Sequence, residues 1–191
     1  MFLITREITE QIEVKKSKFL CFLAPFSHFE SLKDALRQSH PKAAHIVWAY
    51  RHFNEFGQIV ENSSDDGEPK GSSAPGVLNA LRGAGLINVC CLVVRYFGGI
   101  KLGVVGLVRA YGEATNAAIN VANDALIEYI KKQEFSLFVP FALISRVEHF
   151  GRANNLEFCQ NFINDGCEFI FMLTDEQKAD LSAFASSLNL I

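Results

Sequence analysis

Hydrophobic and polar positions alternate loosely from Phe2 to Val14, with Ile4, Ile8 and Ile12 among polar neighbours, and Lys18 to Phe26 is apolar and aromatic. Two strands are predicted. From His28 to Ser39 the apolar residues Phe29, Leu32, Ala35 and Leu36 fall at helical spacing, and Pro41 ends the pattern, so an amphipathic helix follows. β character returns at Ala43 to Phe53. The turn-like Asn54-Glu55-Phe56-Gly57 and a short strand at Gln58 to Glu61 complete a predicted hairpin.

Asn62 to Ser73 reads NSSDDGEPKGSS and is too polar and turn-rich for anything but a loop. A helix from Ala74 to Gly83 carries Val77, Leu78 and Leu81. The nearly unbroken apolar run Leu86 to Phe97 predicts an interior strand. Gly98-Gly99-Ile100-Lys101-Leu102-Gly103 leads into a long helix from about Val104 to Ala122, whose Gly and Ala content lets it lie close against a sheet or another helix.

The character changes after Asp124. Phe135 to Ile144 reads as a strand, Ser145 to Asn154 as a helix, Leu156 to Ile163 and Cys167 to Leu173 as strands, and Asp175 to Leu188 as a helix. This β-α-β-β-α order fits a ferredoxin-like domain with its last strand missing or shortened. The expected organisation is α+β, with an amino-terminal domain at 1–128 and a ferredoxin-like domain at 133–191.

Composition narrows the class. At 191 residues the chain exceeds a typical domain, and with 49% hydrophobic and 20% charged residues it holds material for a real core. The longest uncharged stretch, Gly83 to Val94, is too short to span a bilayer, and Met1 to Thr5 runs directly into Arg6, Glu7 and Glu10 instead of a signal-type apolar segment. A cytoplasmic protein without a membrane partner is expected. The five cysteines form no C-x-x-C pair, and adjacent Cys90 and Cys91 read as small core residues of a strand, so neither a disulfide framework nor a metal site is implied.

Net charge is −3, so no global basic field marks a nucleic-acid binder. Yet between Glu68 and Glu113 every charge is basic: Lys70, Arg82, Arg95, Lys101 and Arg109. Asp65, Asp66 and Glu68, just upstream, are able to neutralise some of them, so charge alone leaves nucleic-acid binding open.

SSDDGEPKGSSAP at 63–75, GLINVCCLVVRYFGGIKLG at 85–103 and GLVRAY at 106–111 closely resemble the YigZ/IMPACT family, and KKSKF at 15–19 and HIVWAYR at 45–51 extend the likeness. The resemblance implies an amino-terminal α+β domain like the second domain of a small-subunit ribosomal protein. It further implies a second domain like the last one of a translocating elongation factor. Both comparisons point to RNA, whereas eukaryotic relatives bind a regulator of the kinase that senses amino-acid starvation. The chain departs from the family where Lys70-Gly71-Ser72-Ser73-Ala74 replaces a small residue followed by Gly-Thr-Ala-Gly. It departs again where Leu102-Gly103-Val104-Val105-Gly106 replaces Leu-Gly-Thr-Gly-Gly.

Three candidate sites stand out, each with a structural alternative. The Gly98, Gly99, Lys101, Gly103 turn lies between a buried strand and a helix start, where free N–H groups favour an anion, and Arg95 and Arg109 would add charge. Alternatively the glycines simply permit a tight crossing, with Arg95 paired to an acid of the 65–68 loop; the segment is neither a P-loop nor a G-x-G-x-x-G fingerprint. The loop Asp65, Asp66, Gly67, Glu68, Pro69 would hold magnesium or act as acid and base, or else its acids pair with Arg95 or Lys101. Tyr50 and Tyr96 would form an exposed platform for base stacking beside basic residues, although most of the 17 Phe and their aromatic neighbours must be core.

His45, alone in an apolar strand, reads as a core or hydrogen-bonded imidazole. No serine stands in a G-x-S-x-G context, and no cofactor is implied. The expected function is a non-enzymatic regulator of translation or stress response that binds RNA, the ribosome or a translation factor. The rival is a nucleotide or phosphometabolite hydrolase using Asp66, Glu68 and Mg.

Overall fold

The computed structural model describes residues 1–191, and in it the alternation of Phe2 to Val14 breaks in two. β1 (Phe2–Ile4) pairs with β7 (Leu126–Glu128), a strand that the sequence pattern leaves unassigned, and β2 begins only at Ile8 and runs to Val14. Thr5 makes the corner: its N–H and its hydroxyl both donate to the Ala125 carbonyl, at 2.9 and 3.1 Å.

The chain divides into two compact units, Met1–Tyr129 and Ile130–Ile191. In the first, β2, β3 (Ser17–Pro25), β4 (His45–Phe53), β5 (Ile59–Ser64) and β6 (Val89–Tyr96) form an antiparallel sheet in the order β2-β3-β6-β4-β5. β6 is the middle strand and is buried along almost its whole length, as its apolar run requires. β5 continues to Ser64, because Ser63 and Ser64 pair with Ala49 and Trp48; the predicted loop therefore starts later than polarity indicates.

Strand parity sorts the two faces. Phe19, Cys21, Leu23, Val47, Ala49, Cys91 and Val93 pack with α2 (Ala74–Gly83) and α3 (Gly103–Asn120). Ala24, Ile46, Cys90, Leu92 and Val94 pack with Phe29, Leu32 and Leu36 of α1 (Phe29–Ser39). All five cysteines are free. Cys21 and Cys91 sit buried with their sulfurs 3.4 Å apart, and burial pushes the Cys90 thiol up to about 12.

The helices α2 and α3 meet where small residues allow it: a Cβ on Gly76 would lie 2.3 Å from the Val108 carbonyl oxygen. Arg51 closes the far end of this layer. Its Nη1 donates to the Leu86 carbonyl (2.8 Å) and its Nε to Glu61 (2.6 Å), which also accepts from Arg82.

The second unit orders β8 (Gln133–Pro140), α4 (Ile144–Ala153), β9 (Glu157–Ile163), β10 (Gly166–Leu173) and α5 (Asp175–Ser187) into a three-stranded antiparallel sheet, β8-β10-β9. Val147 of α4 and Leu181 and Ala185 of α5 pack with Leu137, Val139, Phe169, Phe171 and Leu173 on one face. α5 starts with a capping box in which Thr174 accepts from the Gln177 N–H and Gln177 accepts from the Thr174 N–H. The opposite face exposes Phe138 and Met172 beside Glu134, Glu157 and the half-buried Glu168. Each unit mixes helix and sheet, as the α+β reading expects. No helix of the chain is long and apolar enough to cross a membrane.

One glycine governs the strand-to-helix crossing after β6. A Cβ on Gly98 would lie 2.0 Å from the Lys16 carbonyl carbon and 2.4 Å from the Ser17 nitrogen, backbone atoms that cannot swing aside. Gly98→Ala is therefore expected to cost at least about 2 kcal/mol through overpacking. Gly83→Ala, whose added Cβ meets nothing within 4 Å, should be neutral or stabilising by up to about 1 kcal/mol on helix propensity. Urea denaturation of the two variants tests the contrast; equal stability would contradict the packing.

Candidate functional site

The loop after β5 is folded by its own carboxylates. Asp65 accepts from Gly71 N–H (2.7 Å) through one oxygen, and from Ser73 and Ala74 N–H (3.0 and 2.8 Å) through the other, so it closes the loop and satisfies N–H groups at the start of α2. Asp66 accepts from Ile46 N–H at 2.7 Å, and Arg37 approaches its other oxygen at 3.8 Å. Its backbone stands at φ +44° and that of Gly67 at +86°, and this double left-handed turn drives Glu68 inward.

Glu68 ends among buried partners. Its Oε1 accepts from Arg95 Nη1 at 2.5 Å and from the Tyr111 hydroxyl at 2.9 Å. Arg95 is 5% exposed and Glu68 8%. The Arg95 guanidinium lies between the Phe19 and Phe97 rings, 5.7 and 5.5 Å from their centroids, and its Nε is buried without a hydrogen-bond partner. Burial and the adjacent Glu68 carboxylate push the Tyr111 phenol far above its ordinary value, so it stays protonated and remains a donor. His45 Nδ1 lies 2.8 Å from the Asp66 carbonyl, which can only accept, so Nδ1 carries a proton; Nε2 faces Glu68 Oε2 at 3.7 Å.

Above this network opens a pocket of about 410 Å³. His45, Glu68 and Arg95 are its polar lining, Pro69, Phe97, Leu102, Val104 and Leu107 its apolar walls, and Lys101 and Gly103 complete it where α3 begins. Two of its apolar walls are exposed, Phe97 at 52% and Val104 at 55%, and their chain neighbours Ile100 and Val105 are exposed at 43% and 64%.

The candidates read from the sequence thus fall in different places. Arg95, Lys101, Gly103, Glu68 and Pro69 share the pocket, while Gly98 is committed to its contact with Lys16 and Ser17, and Gly99 to a left-handed turn at φ +85°. Arg109 lies in a separate groove between α2 and α3, with Asn79, Gly112 and Asn116. Tyr50 and Tyr96 occupy the other sheet face and are half-buried. The Tyr50 ring packs against Phe29 and Phe26, and the Tyr96 hydroxyl pairs with His40 at 2.8 Å.

Magnesium finds no suitable donor set in the 65–68 loop. No cluster of three metal-ligating side chains forms there: Asp65 is taken up by backbone N–H groups, one oxygen of Asp66 accepts from Ile46, and Oε1 of Glu68 is held by a guanidinium and a phenol while its Oε2 faces His45. Tyr111 is the participant that sequence reasoning passed over as an aromatic beside Arg109. The signal was present in its spacing with Leu107, Ala110, Ala114 and Ala118, the buried stripe of α3.

Removing one member of a buried pair leaves the other charge uncompensated, so Glu68→Ala should cost about 3–5 kcal/mol. Tyr111→Phe, which removes a single hydrogen bond to a charged group, should cost about 1–3 kcal/mol. Denaturant midpoints of the two variants measure the difference, and a Glu68→Ala protein as stable as the parent would contradict the network.

Comparison with known proteins places this architecture. The Impact N-terminal domain model matches residues 15–119, which include the loop, the central strand and nearly all of α3. An IMPACT family member encoded in the pol 5′ region of Thermus thermophilus is 39% identical over 162 residues, covering 84% of this chain and 86% of that protein. IMPACT family member YigZ of Escherichia coli strain K12 is 38% identical over 117 residues, 59% of this chain and only 56% of that protein's length. The crystal structure of a hypothetical protein superposes with a TM-score of 0.68 at 26% identity, covering 98% of this chain and 91% of that one. With a family match over more than half its length and a relative aligned over most of both sequences, the chain belongs to the IMPACT family, which includes YigZ.

Proposed function

We propose that the chain is a non-enzymatic regulator acting in translation or the stress response of the cytoplasm, and that it docks a translation-associated protein at the mouth of the pocket. Family membership supports the setting, through the regulatory role that the YigZ/IMPACT resemblance implies. The single observation that carries the mode of action is the exposure of the pocket-lining Phe97 and Val104, together with their exposed chain neighbours Ile100 and Val105. Exposed apolar patches edged by polar groups are the usual mark of protein contact.

A protein partner suits the charges better than RNA. Arg95 and Arg82 are neutralised by Glu68 and Glu61, which leaves Lys70, Lys101 and Arg109 as the only cations of the 68–113 segment outside ion pairs. The outer sheet face of the second unit, read in this proposal as ferredoxin-like, carries Glu134 and Glu168, which would repel phosphate, and Glu157, which is paired with Lys132. The hydrolase reading needs Asp66 and Glu68 free to bind a metal, whereas Asp66 accepts from the Ile46 N–H and Glu68 is held by Arg95 and Tyr111.

Co-sedimentation of the full chain with ribosomes from a lysate, with and without nuclease, tests the proposal. The expected result is association that survives nuclease and is lost in Val104→Glu. Association abolished by nuclease and unaffected by Val104→Glu would overturn it in favour of RNA.

A further inference from the structure

We infer that the pocket at the start of α3 receives an apolar side chain flanked by carboxylates, presented by a segment of the partner protein. The inference rests on the binding reading above and specifies the chemistry of the partner. A space of about 410 Å³ walled by Pro69, Phe97, Leu102, Val104 and Leu107 accommodates one large aliphatic or aromatic side chain, and lies within the usual range for ligand pockets. Phe97 and Val104 of these walls are more than half exposed, as is Val105 next in the chain.

The charge around it is positive. α3 is capped by no side chain at Leu102 and carries no acid in its first turn, so its leading N–H groups have no side-chain acceptor of their own helix. Lys101 is exposed beside it and joins no ion pair. Arg95 in the pocket lining is 5% exposed and its charge is paired with Glu68, which leaves Lys101 as the one unpaired cation of the lining. The one acid in the lining, Glu68, is already neutralised by Arg95 and held by Tyr111. An incoming carboxylate therefore finds its partner in Lys101, next to apolar walls.

Nucleic-acid backbone fits this surface less well. Val104 and Val105 place β-branched side chains over the first turn of α3, where a phosphate chain would have to lie, and both are more than half exposed. A single carboxylate next to an apolar side chain is smaller and brings its own partner for the valines.

The test uses the full chain and short peptides blocked at both ends. One carries Leu and Phe among Asp and Glu, a twin has Lys in place of the acids, and a second twin has Ser in place of Leu and Phe. Single-stranded RNA and inorganic phosphate are run alongside. Amide NMR titration should show the acidic apolar peptide moving resonances between Phe97 and Leu107, with both twins weaker. Lys101→Glu should weaken the acidic peptide about tenfold and shift preference toward the Lys twin. Val104→Glu should abolish binding while leaving the remaining spectrum unchanged. Equal binding of acidic and basic peptides, no binding of the acidic peptide at millimolar concentration, or the same shifts from RNA or phosphate alone would overturn the inference. If the peptides fail while nuclease-resistant, Val104-dependent co-sedimentation persists, this inference falls and the protein-docking function stands; if co-sedimentation fails as well, both fall.

Discussion

The ion pair between Glu68 and Arg95 is the contact on which the candidate site of the first unit depends. It joins the loop after β5 to the central strand, and through Tyr111 it joins both to α3. Two charges taken out of water recover their desolvation only with good geometry and further hydrogen bonds. Here the phenol, the two aromatic rings flanking the guanidinium and the left-handed turn at Asp66 and Gly67 supply that geometry. Because the pair is internal, it lays a nearly neutral floor under a pocket whose mouth is cationic and whose rim is apolar. The acidic loop that reads as a potential metal or catalytic motif is, in structure, a brace.

Much of the fold is legible in the chain because the governing interactions are local. Phe29, Leu32 and Leu36 report α1 by spacing alone, and the run Leu86 to Phe97 reports a strand covered on both faces. What stays hidden is long-range. Nothing near Phe2 to Val14 signals a break at Thr5, because the cause is pairing with Leu126 to Glu128, more than a hundred residues downstream. The polar Asn62 to Ser64 look like loop and become strand because β4 is there to pair with them.

The site was half legible. Parity places Arg95 on the same face as Val89, Cys91 and Val93, and so marks it as buried; the pattern of α3 does the same for Tyr111. No pattern in the chain announces that Phe97, Ile100, Val104 and Val105 are exposed, since apolar residues beside glycines read equally well as core. That exposure is what turns the departure from the family's Gly-Thr-Gly-Gly run into a functional statement. In this chain Val104 and Val105 stand exposed at the start of α3 and present apolar surface there.

The most direct measurement is side-chain NMR of the arginines in the full chain, with Arg109 as the exposed internal control. If Arg95 is locked onto Glu68 between two rings, its guanidinium protons exchange slowly and its Cζ–Nε rotation is hindered, while those of Arg109 are fast. Exchange and rotation at Arg95 as rapid as at Arg109 would show a guanidinium free to meet a ligand, and would contradict the buried pair as the element around which the site is built.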